Sequence, residues 1–373
     1  MRNLASVQRI TAIHPIEGRD QIGLAEVLGW HVIVRYDQFK EGDLCVYFEI
    51  DSVLPENETF EFMRKHGFRV KTMKMAGQVS QGLCMPLSCF LINPDKVREG
   101  EDVTEILGVT KYEPADESEQ NTASQTGKKR KKYPIRSFLY RHPITSKLAH
   151  AIWGNKINRG SFPDFVSKTD ETRIQNIPWM LQKKDITFEA HEKVDGQSGT
   201  FALVRNNKLF GLVKDYDFIV CSRNLRLFHP DNSSYWAVAE RYHLKDVLKD
   251  LLDQYQDAEW VCIQGECIAP NVQRNKYNVM KPDLYCFNLI VDGVGKIDSI
   301  QAAQKLSYEF GLKWVPLIHP AYRLPDTVEE VEAYAHGQSQ IAPTLREGIV
   351  FRNYEHHISF KCVDPLFLLK WKE

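Results

Sequence analysis

An α+β fold is predicted from three features of the chain. Short runs of β-branched and aromatic residues are punctuated by Gly and Asp. Helical patterns occur but do not alternate regularly with those runs. A polar stretch divides the chain in two. A doubly wound fold needs strict strand–helix alternation, so antiparallel-rich sheets with flanking helices are expected instead. At 373 residues the chain exceeds what one hydrophobic core usually fills, so two domains are expected.

Residues 1–110 read as the first domain. Trp30-His31-Val32-Ile33-Val34 and Leu44-Cys45-Val46-Tyr47-Phe48-Glu49-Ile50 are strand-like, bounded by Gly29, Gly42, Asp43 and Asp51. Residues 70–75 and 82–87 are expected as two more strands around an Ala76-Gly77 turn. A helix is expected over Glu58–His66, with Asn57 as its N-cap. Several short strands and one helix suit a small OB-like β-barrel. Arg64, Lys65, Arg69, Lys71 and Lys74, interleaved with Phe60, Phe62 and Phe68, form either a nucleic-acid-binding surface or a solvated face beside core phenylalanines.

Residues 111–137 are poor in aliphatic side chains and read as a linker or long loop. Their basic run, Lys128-Lys129-Arg130-Lys131-Lys132, fits a phosphate contact, a localisation signal or a solvated charge run. Residues 138–373 read as the second domain. Strands are expected at 200–204, Trp260–Ile268, 284–291, 348–351 and Ile358–Val363. One helix is expected over 233–255, where Trp236, Ala239, Tyr242 or His243, Val247 and Leu251 recur at helical spacing. Another is expected over 300–310.

With 48 basic and 49 acidic side chains, the chain has no globally basic surface, so nucleic-acid contact must come from local patches. No apolar run approaches the ~18 residues of a membrane helix, and the N-terminus lacks the apolar core of a signal peptide, so an intracellular protein is expected. The eight cysteines show no C-x-x-C pair and read as buried small hydrophobes. On a strand, the adjacent His356 and His357 would face opposite ways and share no metal.

The densest polar stretch in an apolar setting is Phe188-Glu189-Ala190-His191-Glu192-Lys193-Val194-Asp195-Gly196. It fits a charged turn between strands, and it also fits a lysine nucleophile. A protonated lysine is inert, so a nucleophile would need a lowered pKa or a nearby cation. Gly196 would let the backbone approach a nucleotide. Further on, ionisable groups recur within or beside apolar strands: Arg223 after Cys221-Ser222, Glu266 after Gly265, Glu347 before Gly348, and Lys361 inside Ile358–Val363. Each is unfavourable there without a partner.

In series these segments resemble the covalent nucleotidyltransferase superfamily, which contains polynucleotide ligases and mRNA capping enzymes. Its six collinear motifs match Lys193-Val194-Asp195-Gly196, Ser222-Arg223, Gly265-Glu266, the strand holding Phe287, Glu347-Gly348-Ile349-Val350 and the strand ending at Lys361, over roughly residues 162–361. DNA ligases and capping enzymes carry an OB domain after the last motif, whereas here only residues 362–373 follow and the OB-like module comes first. That order is similar to a group of ATP-dependent, nick-sealing RNA-repair ligases. The stretch Lys168-Thr169-Asp170-Glu171-Thr172-Arg173-Ile174-Gln175-Asn176 resembles a segment ahead of their nucleophile. The last motif departs from their usual K-x-K: it reads Ser359-Phe360-Lys361, and Lys370 and Lys372 are the candidates to supply the missing contact.

The resemblance implies ATP as cofactor, a lysyl-AMP on Lys193, and joining of a 3′-hydroxyl to an adenylylated 5′-phosphate in nicked duplex RNA. It implies that Glu192, Asp195 and Gly196 border the nucleotide. Phe287 would stack on adenine, with Ile349 or Val350 on its other face. Glu266 would accept from ribose, Arg223 would contact ribose or the 5′-phosphate, Lys361 the α-phosphate, and Arg173 the pyrophosphate. Glu347, Asp195 and Glu266 are the carboxylates expected to hold Mg²⁺ or Mn²⁺, directly or through its waters. The chain is expected to act as a monomer. The rival readings are a DNA ligase, a capping guanylyltransferase, and a non-catalytic nucleic-acid-binding protein on the same scaffold.

Overall fold

The computed structural model describes residues 3–90, 92–93, 96–112, 159–208, 213–228 and 233–371. Most of the expected linker, with the basic run at 128–132, lies outside them. The first sheet has five antiparallel strands, ordered Trp30–Arg35, Arg19–Val27, Ala5–Ile16, Leu44–Phe48 and Leu83–Pro86. Alternation explains the inward faces: Trp30, Val32 and Val34 are buried, while Arg35 is exposed. A register shift between Ile10 and Ala12 bends the long first strand, which pairs with Arg19–Val27 in its second half and Leu44–Phe48 in its first. The sheet curls towards closure, where Ile33 N donates to Ser80 Oγ at 3.1 Å.

One expectation here needs correction. The Ala76-Gly77 turn closes a hairpin between Thr72–Met75 and Gln78–Gln81, not between residues 70–75 and 82–87. Both turn residues have positive φ, the geometry of a tight two-residue hairpin, so the returning strand begins at once. The helix expected over Glu58–His66 forms, as a 3₁₀ helix, with Asn57 at its N-cap accepting from Phe60 N. The basic cluster does not make one face. Arg64 pairs with Glu61 at the surface, whereas Arg69 turns inward to Asp51, 2.7 Å away, and under Tyr112. Phe60 and Phe68 are core residues, and Phe62 is exposed.

The remainder holds two sheets. The larger, of eight strands, centres on Gln197–Lys208, Trp260–Ile268 and Asp283–Val291. The smaller runs Thr172–Arg173, Ile358–Val363, Gly348–Asn353, Thr187–Lys193 and Leu317–Arg323. The turn after Lys193 carries the chain from one sheet to the other. The expected single helix over 233–255 is two, Ser234–Arg241 and Leu244–Gln254. His243 between them is left-handed (φ +48), which turns the chain so that Val238 and Ala239 reach the same core as Leu248 and Leu251. The helix expected over 300–310 forms as Ser299–Phe310, capped by Asp298. His356 and His357 lie in an exposed turn rather than on a strand.

A continuous apolar core joins the N-terminal sheet to the end of the chain. Phe367 and Leu368 of the helix Pro365–Trp371 pack with Ile10, Trp30, Val32 and Tyr47. Trp30 Nε1 donates to Asn176 Oδ1 at 2.6 Å, and Gly29 N donates to the Gln175 carbonyl at 2.9 Å. Seven cysteines are buried and Cys89 is exposed, all unpaired. Among the described residues no helix is long and apolar enough to cross a membrane.

Candidate active site

The strand Thr187–Lys193 ends at the cavity. Its antiparallel partner begins at Gly348, which sits opposite Lys193 and so brings Glu347 beside it. Lys193 Nζ donates to Glu347 Oε2 at 2.5 Å. A Cβ on Gly348 would fall 2.1 Å from the Cys362 carbonyl oxygen, so glycine is required for this close pairing. Gly196 lines the same cavity and is also closely packed against protein. A Cβ there would lie 2.5 Å from the Cys267 carbonyl oxygen. Gly196 N donates to Glu266 Oε1 at 3.1 Å, which ties the turn after Lys193 to the larger sheet.

Burial opposes the charge on Lys193, but Glu347, Glu266 and Asp195 outweigh it and raise its pKa above the ordinary lysine value. The expected activation is therefore not supplied by the protein alone. Glu266 shows the converse: burial and the nearby Glu347 raise its carboxyl to about 7 against the pull of Lys193.

A cavity of about 960 Å³ connects these groups with Asp195, Arg173, Arg223, Phe287, Val350 and Lys361. Phe287 projects from a bulge, because the strand register jumps from Gln264–Asn288 to Gly265–Cys286 and leaves Phe287 unpaired. The Arg352 guanidinium lies 5.6 Å from the Phe287 ring and donates to its carbonyl. Ile349 is a correction: it is fully buried in the core with Phe188 and Phe351, and strand alternation puts Val350 on the cavity wall instead. Glu192 borders the cavity, but its carboxylate is engaged by Ser339 Oγ at 2.5 Å and Gln340 N at 2.8 Å.

Arg173 is held beside Asp51 of the N-terminal sheet's domain, 3.6 Å away, with its guanidinium over Trp30. Asp170 gathers three cations: Lys111 at 2.5 Å, Arg223 at 3.2 Å and Lys361 at 3.3 Å. Burial opposes its charge, but these cations hold its carboxyl far below the usual range. Lys370 does not replace the missing lysine of the last motif; its ammonium lies over Trp371, and Lys372 is outside the described residues. The cavity's cation near that position is Arg352, the cross-strand partner of Ser359.

Among the described residues, no three His, Cys, Asp or Glu side chains are arranged to bind a metal directly. Asp195 is paired with Lys276 and Glu347 with Lys193, so direct coordination by the three expected carboxylates is not preformed. The oxygen-only donors around Lys193 do fit a hard cation that keeps its waters.

Sequence reasoning did not assign Asp170, Arg352, Lys276 or Tyr277, nor Lys111 and Tyr112 at the start of the expected linker, and it placed Arg69 in a surface cluster rather than at this cavity. Asp170 lies in the segment Lys168–Asn176, ahead of Lys193. Arg352 follows the Glu347 motif with the phase of a cavity-facing strand residue. Nothing in the local pattern of Lys276 and Tyr277 pointed to the site.

A family model described as RNA ligase matches residues 186–372, and one described as an OB-fold domain matches residues 4–87. The structure is similar to that of Naegleria gruberi RNA ligase with PPi, with a TM-score of 0.77 and 30% identity over 100% of this chain and 99% of that chain. Variants of that ligase with ATP and Mn (30% identity) and with AMP and Mn (29% identity) both align at a TM-score of 0.77. They cover 100% and 99% of this chain, and 99% of theirs. No curated protein sequence matches the chain.

Proposed function

The chain belongs to the RNA ligase family and is an ATP-dependent RNA ligase, and on that premise we propose that Lys193 carries AMP as a covalent intermediate in sealing nicked duplex RNA. One observation carries the assignment of the site: each of the six motifs contributes at least one residue to a single cavity around Lys193.

In this reading the neutral Lys193 amine attacks the α-phosphorus of ATP. The N–P bond forms as the bond to the bridging oxygen breaks, and pyrophosphate leaves. The 5′-phosphate of the broken strand then takes AMP from Lys193. Finally the neighbouring 3′-hydroxyl attacks that phosphate and releases AMP. Positioning and charge neutralisation carry most of this chemistry. Phe287 stacks on adenine, with Val350 on the cavity wall. Glu266 accepts from ribose. Arg223 and Lys361 exchange Asp170 for phosphate oxygens, and Arg173 faces the leaving pyrophosphate. Glu347, Glu266 and Asp195 would hold a divalent cation, Mg²⁺ or Mn²⁺, which would supply charge that neutralises the α-phosphate and favours loss of the Lys193 proton to solvent.

We read residues 1–110 as the domain that grips the duplex. A monomer suffices, because one chain supplies the cavity wall from both domains: Asp51, Arg69 and Thr72 from one and the motif residues from the other. The test is sealing of a 5′-phosphorylated nick in duplex RNA, beside the same strands unpaired and an all-DNA nick. Ligation of the RNA nick with a transient adenylylated 5′ end is expected. Preference for the unpaired strands would contradict the nicked-duplex assignment.

A further inference from the structure

Asp195 lines the cavity two residues after the nucleophile, and behind it stands a second lysine. Lys276 forms an ion pair with the Asp195 carboxylate. Its side chain is only 1% exposed, and Asp195 is 7% exposed. A buried ammonium without a partner is strongly unfavourable, so the pair is a built feature rather than a chance surface contact.

Further contacts fix Lys276 and the loop that carries it. Its ammonium lies 4.7 Å from the Phe367 ring centroid and 5.3 Å from that of Trp371, both on the helix Pro365–Trp371. Arg274 Nη1 donates to the Trp371 carbonyl at 2.9 Å, which ties the end of that helix to the Lys276 loop. The next residue, Tyr277, accepts a hydrogen bond from Asp195 N at 2.8 Å through its hydroxyl. The loop holds Gln273, Arg274, Asn275 and Asn278 at positive φ, a strained backbone that persists only where the surroundings fix it. Asn275 braces it through both directions of a side-chain bridge to Val279.

We propose that Lys276 is a positioning residue for adenylyl transfer, caged by the C-terminal helix and holding the Asp195 carboxylate in the orientation that the Lys193 turn requires. The inference rests on the reading that Lys193 is the nucleophile. Lys276 touches no substrate; it acts through Asp195. It also gives the residues after the last motif a task at the active site. The helix that packs Phe367 against the N-terminal core presents the same ring to Lys276, so the seating of the two domains and the aim of Asp195 share one element.

The test is the rate of Lys193 labelling by α-labelled ATP with Mg²⁺ in the full-length chain. Lys276→Met keeps the aliphatic stem and removes the charge. Its rate at saturating ATP is expected to fall about tenfold or more, with KM for ATP within about twofold of the original. Lys276→Arg, which keeps a cation in the cage, is expected to stay within about fivefold of the original rate. Labelling of Lys276→Met at the original rate, a loss confined to KM, or equal slowing of both variants would overturn the proposal. If Lys276→Met does not fold, Trp371→Leu takes its place, removing one wall of the cage and leaving the ion pair. It is expected to slow labelling severalfold at unchanged KM, and an unchanged rate contradicts the proposal. An unsubstituted chain that takes no label removes the lysyl-AMP reading, and this inference with it.

Discussion

Glu347 Oε2 accepts a hydrogen bond from Lys193 Nζ at 2.5 Å, so Lys193 rests as a protonated ion pair. A cation drawn to the Glu347 side would both break that pair and repel the proton. Labelling is therefore expected to stop when divalent metal is chelated. Glu347→Ala is expected to slow it about 100-fold, the scale of losing one electrostatic group at a reacting phosphate. A Glu347→Ala rate within threefold of the original would contradict this role.

A second pair sets a pH dependence of stability. Glu332, on the helix Val328–Ala335, accepts from Gln175 Nε2 at 2.6 Å beside the interdomain contact at Gly29. Burial raises its carboxyl to about 7, against the help of Gln175. The folded state thus keeps a proton that the unfolded chain releases near 4.5, and stability falls as pH rises between those values. Glu332→Gln retains an acceptor for Gln175 and removes the ionisation. It is expected to be more stable than the original at pH 8, by about 1–2 kcal/mol, and equal to it near pH 4. Parallel denaturation curves at both pH values check this; the same difference at each pH would assign the effect to packing.

Trp30 anchors the N-terminal domain through its indole N–H to Asn176, at 2.6 Å. Trp30→Phe keeps most of the ring in the core and leaves Asn176 Oδ1 without that donor. A loss of about 1–3 kcal/mol is expected in urea unfolding. Because Asn176 lies three residues from Arg173, labelling by ATP should slow as well. Full activity in Trp30→Phe would show that the interdomain contact does not tune the site.

Gly348→Ala tests the close pairing beneath Glu347. The added methyl would meet the Cys362 carbonyl, so the strand must shift and carry Glu347 from Lys193. A stability loss of about 1–3 kcal/mol and a labelling rate at least tenfold lower are expected. A variant as stable and active as the original would mean that the strand pair has slack the geometry does not show.

Much of the fold was legible because alternation and capping are local signals. Trp30, Val32 and Val34 marked a strand face, and Asn57 marked a helix start. The motif residues were legible as charged groups in apolar strands. Ile349 was misplaced, although the two-residue period that puts Lys361 and Val350 on one wall would have excluded it. His243 breaks its helix for a tertiary reason, the shared core, and no local breaker announces it. Lys276 and Asp195 meet across 81 positions, and neither resemblance nor period reaches that far. Asp170 has the same limit: its three cations come from distant parts of the chain.

The central claim is that Lys193 carries AMP. The most direct measurement is incubation of the purified chain with α-labelled ATP and Mg²⁺ or Mn²⁺, followed by denaturing electrophoresis, beside Lys193→Ala. A labelled band that needs the metal and disappears in Lys193→Ala, with an unchanged melting transition, is the result predicted. A Lys193→Ala variant that takes label as the original does would place the AMP elsewhere and contradict the account.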